Sequence, residues 1–287
     1  MKIVITGAGG FIGKELTGRF SAQHQVLPLT HQALDITNET AVQDVIKDAR
    51  PDLIINCSVL GVDDCEIDPA LARAINALGP RYLAEAAAES DAEMLQLSTN
   101  YVFAGDLEHG SRYTIRDTPR PINKYGETKL AGEAAVRVAL PKSYIVRTSW
   151  VFGPGKKDNF FSTAARSLNE RKRLRAVEDV WASVTYVSDL AARIEEILAF
   201  HHYEIYHIVN DGICSYYDFA REAARQLNMT NAEIAELIEA VRESEMRRKA
   251  LRPGYTPMRC LVSEELGLPV LPHWRTALSR YLHGLRG

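Results

Sequence analysis

With 287 residues and a formal charge of only −3, the chain has room for one large domain or two sharing a core, and it lacks the basic surplus that draws proteins to nucleic acid or anionic membrane. Hydrophobic residues make up 46% and charged residues 25%, a globular balance that excludes a disordered chain. Four scattered cysteines without a CxxC pair, an N-terminus unlike a signal peptide and no apolar run near the ~18 residues of a membrane span predict a cytoplasmic protein with reduced thiols and no membrane partner.

The first half alternates short β-branched runs with helical patterns. "KIVIT" (2–6), "QVLPLT" (25–30), "DLIINCSV" (52–59), "MLQLST" (94–99) and "SYIVRTSW" (143–150) read as strands buried on both faces. Between them, Phe11–Ser21, Asn38–Asp48, Asp68–Glu89 with Pro69 in its first turn, and Asn123–Val138 read as helices. Such alternation predicts βαβ units in an α/β fold, a Rossmann-type doubly wound parallel sheet. Further on, Asn159–Glu170, Ser188–Phe200, Ser215–Leu227, Asn231–Lys249 and 273–282 look helical, and "YHIVN" (206–210) looks like a strand. Prolines and glycines gather at "RPGYTP" (252–257) and "LGLPVLP" (266–272) as wrapping loops. With "TGAGGFIG" (6–13) between its first strand and first helix, the stretch 1–150 is expected to form the dinucleotide-binding domain. Residues 151–287 should complete the sheet and form a smaller, mainly C-terminal substrate-binding cap.

"TGAGGFIG" follows the first strand at once, with Gly7, Gly10 and Gly13 three apart. Glycine suits the tight turn, the approach of backbone to a pyrophosphate and close helix packing; Phe11 and Ile12 then open a helix whose free N–H groups face the phosphates. The bland alternative is a turn with close packing and no ligand. After "QVLPLT" come Thr30, His31, Gln32 and Ala33, with no acid before Asp35 to accept a ribose 2′-hydroxyl. NADPH is the expected cofactor, with His31 beside it, and NADH stays open because no arginine there grips a 2′-phosphate.

"NKYGETKLAGE" places Tyr125 and Lys129 four apart, on one face of a helix. A tyrosine normally titrates near pKa 10; a lysine ammonium and an oxidised nicotinamide beside it would favour the phenolate, which suits proton transfer to a carbonyl oxygen. YxxxK alone is a weak motif and also fits a surface Tyr–Lys pair. Its weight comes from the glycine loop upstream and from Ser98-Thr99 at a strand end, where a hydroxyl can reach the same oxygen.

These stretches, with "LDIT" (34–37), "VDDCE" (62–66), "INALGP" (75–80), "STNYVFAG" (98–105), "IVRTSWVFG" (145–153), "TYVSDLA" (185–191) and "RPGYT" (252–256), resemble the extended short-chain dehydrogenase/reductases, and within them the dTDP-4-dehydrorhamnose reductase family. The resemblance implies NAD(P)H-dependent reduction of a nucleotide-linked 4-keto-6-deoxysugar, with Thr99, Tyr125 and Lys129 as catalytic trio. It implies that Asp35 and Ile36 flank the adenine, that Asn56, Cys57 and Ser58 line the cofactor, and that Arg147 and Ser149 lie near the nicotinamide. Tyr101 and Trp150 would meet the sugar, the indole offering a flat apolar face and one N–H. A homodimer is compatible with it.

Departures fall on the substrate side. Asn100 stands where the family usually has aspartate, Ala104 where another is common, and "DVWASVT" (179–185) replaces a loop "DQxGxPT", with Trp181 adding bulk. Arg252 is a candidate for the substrate diphosphate, as are the arginines of "NERKRLR" (169–175), which otherwise read as a solvated helix end. The eight histidines show no metal-ligand spacing. Two other readings remain: a non-catalytic NADP-binding protein like the regulatory subunit of methionine adenosyltransferase, and a nucleotide-sugar epimerase or dehydratase.

Overall fold

The computed structural model describes residues 1–155 and 159–286. Its first half runs β1 (Lys2–Thr6), α1 (Phe11–Phe20), β2 (Gln25–Leu29), α2 (Glu39–Ala49), β3 (Leu53–Asn56), α3 (Val62–Ile67), α4 (Pro69–Arg73), α5 (Gly79–Glu89), β4 (Glu93–Thr99), α6 (Lys124–Ala139) and β5 (Ser143–Thr148). The second half runs β6 (Val151–Phe152), α7 (Phe160–Asn169), β7 (Leu174–Val177), β8 (Trp181–Ala182), β9 (Thr185–Tyr186), α8 (Val187–Leu198), β10 (Ile205–His207), β11 (Cys214–Ser215), α9 (Tyr216–Gln226), α10 (Asn231–Leu237), β12 (Ile238–Val241), β13 (Tyr255–Thr256), α11 (Leu261–Glu265) and α12 (Trp274–Arg286).

Six strands form the central sheet in the order β10–β5–β4–β3–β1–β2, all neighbours parallel. The continuous apolar runs are buried on both sides because helices cover both: Leu16, Phe20 and Ile194 pack with Ile3 and Ile5, while Val42, Ile46, Leu83 and Val136 pack with Val4 and Ile54. Strand order reverses at β1, so a crevice opens where β1 and β3 end. A separate apolar core, with Phe161, Phe219, Trp274 and Tyr281, lies under the short strands of the second half. No helix among the described residues is long and apolar enough to cross a membrane.

Several boundaries differ from the sequence reading, each for a local reason. The helix expected over 68–89 contains a π turn at Ala74–Leu78. There the buried Asn76 side chain accepts from Leu60 N at 2.9 Å, and α6 presses so close that a Cβ on Gly132 would lie 2.2 Å from Asn76 O. The strand expected over 143–150 ends at Thr148, because Trp150 takes the left-handed φ of 44° and turns the chain into β6. The helix expected over 231–249 ends at Leu237. Ile238 and Val241, β-branched and buried, instead form a strand parallel to β7. That register sets Arg173 and Arg175 near Glu236 and Glu239, and Arg171 near Glu233. The basic run thus binds the acidic face beside it instead of reaching for a ligand.

Candidate active site

Gly7 leaves β1 at φ +64°, and any Cβ on it would sit 2.6 Å from Ser58 N, so the glycine loop lies directly against the end of β3. The α1 N-terminus begins at Gly10 with no side-chain cap, leaving its first N–H groups for an anion. Beneath the loop, polar side chains link three strands. Thr6 Oγ1 donates to Asn56 Oδ1 at 2.7 Å, and Asn56 Nδ2 donates to Gln96 Oε1 at 2.8 Å. Asn56 is fully buried and underlies the cavity, whereas Cys57 and Ser58 line it. Ile36 is also a core residue, and Asp35 accepts from the N–H and hydroxyl of Thr37, which hold its carboxylate below its usual range. His31 is exposed.

A cavity of about 240 Å³ lies at the ends of β3, β4 and β5, lined among others by Ile12, Cys57, Ser58, Thr99, Tyr125 and Lys129. The sequence-derived trio is therefore brought together, with part of the expected cofactor set. Asn100, Tyr101 and Trp150 share the same wall. Trp181 and Arg252 do not line it. Trp181 stands edge-on to His109, ring centres 5.9 Å apart, and Arg252 Nη2 is paired with Asp63 at 2.7 Å. A larger cavity of about 530 Å³ at the β10 edge holds none of the expected residues, and its Arg112, Arg193 and Arg259 are each paired with a carboxylate.

The strand carrying Thr99 is tied to α6 at successive residues. Lys129 Nζ donates to Leu97 O at 2.6 Å, Ser98 Oγ donates to the Glu133 carboxylate, and Thr99 Oγ1 lies beside Tyr125. Tyr125, Lys129 and Glu133 are four apart, so one helix face meets all three. Glu133 also takes a two-pronged bond from Arg147, Nη2 at 2.7 Å and Nε at 3.0 Å, with both side chains 3% exposed. Arg147, expected near the nicotinamide, is thus a buried partner of the helix. It also keeps the neighbouring His207 neutral, its pKa pushed down to about 3 mainly by burial. Glu133 escaped the sequence reading, although its spacing of four from Lys129 was a visible signal.

Burial dominates the electrostatics. Desolvation pushes the Tyr125 hydroxyl up to about 12, partly offset by the Thr99 hydroxyl, and pushes Lys129 down to about 8, partly offset by Glu133. The expected lowering of the tyrosine by lysine is not found: the ammonium faces the Leu97 carbonyl, and burial keeps the phenol protonated at neutral pH. Desolvation likewise raises the Cys57 thiol to about 12, leaving it neutral. Ser149 is 2% exposed, lines the cavity, and its hydroxyl has no hydrogen-bond partner. A buried, unsatisfied hydroxyl facing a cavity is what a polar ligand would complete. Trp150 holds its strained φ while stacked on Phe161 and tilted against Tyr216, centroids 4.8 and 4.3 Å away.

A family model described as RmlD substrate binding domain matches residues 1–286. The chain belongs to this family. The dTDP-4-dehydrorhamnose reductase of Mycolicibacterium smegmatis is 38% identical over 280 residues, 96% of this chain and 84% of its own. A solved dTDP-4-dehydrorhamnose reductase from Clostridium acetobutylicum superposes with a TM-score of 0.92 at 35% identity, covering 100% of both chains. Another, from Bacillus anthracis in complex with NADP, gives 0.91 at 35% identity over 99% of each. The family resemblance and the Rossmann-type sheet read from the motifs are borne out. The uncapped helix end, the glycine that admits only backbone and the unsatisfied Ser149 hydroxyl fit a dinucleotide along this crevice.

Proposed function

We propose that the chain is an NADPH-dependent reductase of nucleotide-linked 4-keto-6-deoxysugars; its relatives are named dTDP-4-dehydrorhamnose reductase, and one is solved in complex with NADP. The observation that carries this reading is the convergence of Thr99, Tyr125 and Lys129 on one cavity whose wall includes Ile12 and Ser58 from the dinucleotide side. Residues 1–150 hold the cofactor, the glycine loop and α1 facing its pyrophosphate, and residues 151–287 select the sugar. Bound NADPH supplies the hydride that reaches the carbonyl carbon. Tyr125, held protonated by burial, gives its proton to the carbonyl oxygen. The phenolate left behind is favoured by the Thr99 hydroxyl, and Lys129 keeps a positive charge within the pocket up to about pH 8. Tyr101 and Trp150 offer the aromatic walls against which a pyranose packs. For Arg252 to meet a diphosphate it must exchange Asp63 for it.

A binding protein without turnover, to which the altered 179–185 segment points, is not favoured, because Thr99, Tyr125 and Lys129 share a cavity. An epimerase or dehydratase is separated by stoichiometry. The test is NADPH consumption with dTDP-, UDP- and GDP-linked 4-keto-6-deoxysugars. Turnover of the dTDP sugar with one NADPH per product is expected, together with a loss of roughly 10²–10⁴-fold in kcat for Tyr125→Phe at unchanged NADPH affinity. No turnover by protein that binds NADPH, or product without net NADPH consumption, overturns the reading.

A further inference from the structure

Asn100 follows Thr99 at the end of β4 and is 2% exposed. Its amide is held from the far side of the cleft: Nδ2 donates to Thr256 Oγ1 at 2.7 Å. Thr256 is 1% exposed and belongs to β13, whose ladder with β8 sets Tyr255 opposite Trp181 and Thr256 opposite Ala182. With its nitrogen on Thr256, the amide turns its oxygen to Thr99, and Thr99 Oγ1 donates to Asn100 Oδ1 at 3.3 Å. The bond to Thr256 is short, and the bond to Thr99 is near the outer limit of a hydrogen bond. Thr99 also accepts from Tyr101 N at 3.2 Å. A hydroxyl has one hydrogen. Here it rests on a neutral acceptor that holds it weakly, and it can swing to a carbonyl oxygen entering the cavity.

We propose that Thr256 is a positioning residue for the reduction: by gripping the Asn100 amide it sets where the Thr99 hydroxyl points, and it couples the small sheet of the cap to the reacting centre. The proposal rests on the reductase reading above. Without the grip, the amide is free to turn its NH₂ toward Thr99 or to leave it, and Thr99 loses its fixed direction. The β8 segment, although outside the cavity, then affects rate, since a shift of β8 moves β13 and Asn100 with it.

The test is a double-mutant cycle on the full chain, with NADPH and the dTDP-linked 4-keto-6-deoxysugar, in Thr256→Val, Thr256→Ser, Asn100→Ala and the Asn100→Ala/Thr256→Val pair. Thr256→Val is expected to lower kcat by roughly 10–100-fold, the scale of a small misplacement, with KM and NADPH affinity within roughly three-fold. Thr256→Ser keeps the hydroxyl and is expected to hold kcat within roughly three-fold. The pair should be no slower than the slower single variant, because both act through one bond. Thr256→Ala takes the place of the valine variant if the latter does not fold. Wild-type kcat in Thr256→Val, or losses that multiply in the pair, overturns the proposal while leaving the reductase reading standing. Absence of turnover in the wild-type chain removes both.

Discussion

The strand ends of the parallel sheet and the β7–β12 pair of the second half are held in opposite ways. At the ends of β1, β3, β4 and β5, buried polar side chains bond one another: Thr6 to Asn56, Asn56 to Gln96, Ser98 and Arg147 to Glu133. The β7–β12 pair carries its ion pairs at the surface, as in Arg173–Glu236 with side chains 75% and 65% exposed. The first arrangement fixes Thr99, Tyr125 and Lys129 around one cavity at the cost of desolvating charges. The cavity wall at Trp150, by contrast, rests on aromatic packing against Tyr216. Residue 100 and segment 179–185, the positions at which the sequence reading expects departures from the resembled pattern, both meet at Thr256.

Breaking one ion pair in each region gives the sharpest contrast. Glu133→Gln removes the partner of a buried Arg147 and leaves an uncompensated charge between β5 and α6. A loss of about 3–5 kcal/mol in unfolding free energy is expected, read from denaturant titration. A loss below about 1 kcal/mol would mean that water reaches Arg147, and the rigid-sheet side of the comparison would fall.

The sheet half was legible because its signals are local and periodic. Apolar runs, the glycine triplet and the Tyr125–Lys129 spacing each follow from strand, turn or helix geometry, and the trio assembled as read. What escaped depended on distant partners. Helix 231–249 became helix plus strand because β7 offered a ladder to Ile238–Val241, which no local propensity announces. Arg147 looked like a ligand-facing residue until α6 brought Glu133 against it, and the Asn100–Thr256 bond joins residues 156 apart in sequence.

The next effect is smaller and depends on pH. Lys129 is pushed down to about 8 by burial, so its ammonium is complete below that pH and is lost as pH rises through it. If the reaction uses that charge, kcat/KM falls above pH about 8, approaching ten-fold per unit. A profile flat to pH about 10 would mean that the bound ligands restore the ordinary lysine pKa, and desolvation would then not set the charge in this cavity.

The smallest effect tests the cap. Arg173→Ala breaks the bond to Glu236, 3.4 Å long, between side chains that water already solvates. Exposed pairs of this kind contribute about 0–1 kcal/mol, so the midpoint of unfolding should barely move. The β7–β12 register itself is held by Leu174, Ala176, Val177, Ile238 and Val241, packed in the cap's apolar core, and not by the charges outside it. A loss above about 2 kcal/mol would show that the facing rows of arginine and glutamate act as a network that sets this ladder, and the cap would then be held electrostatically, as the strand ends are.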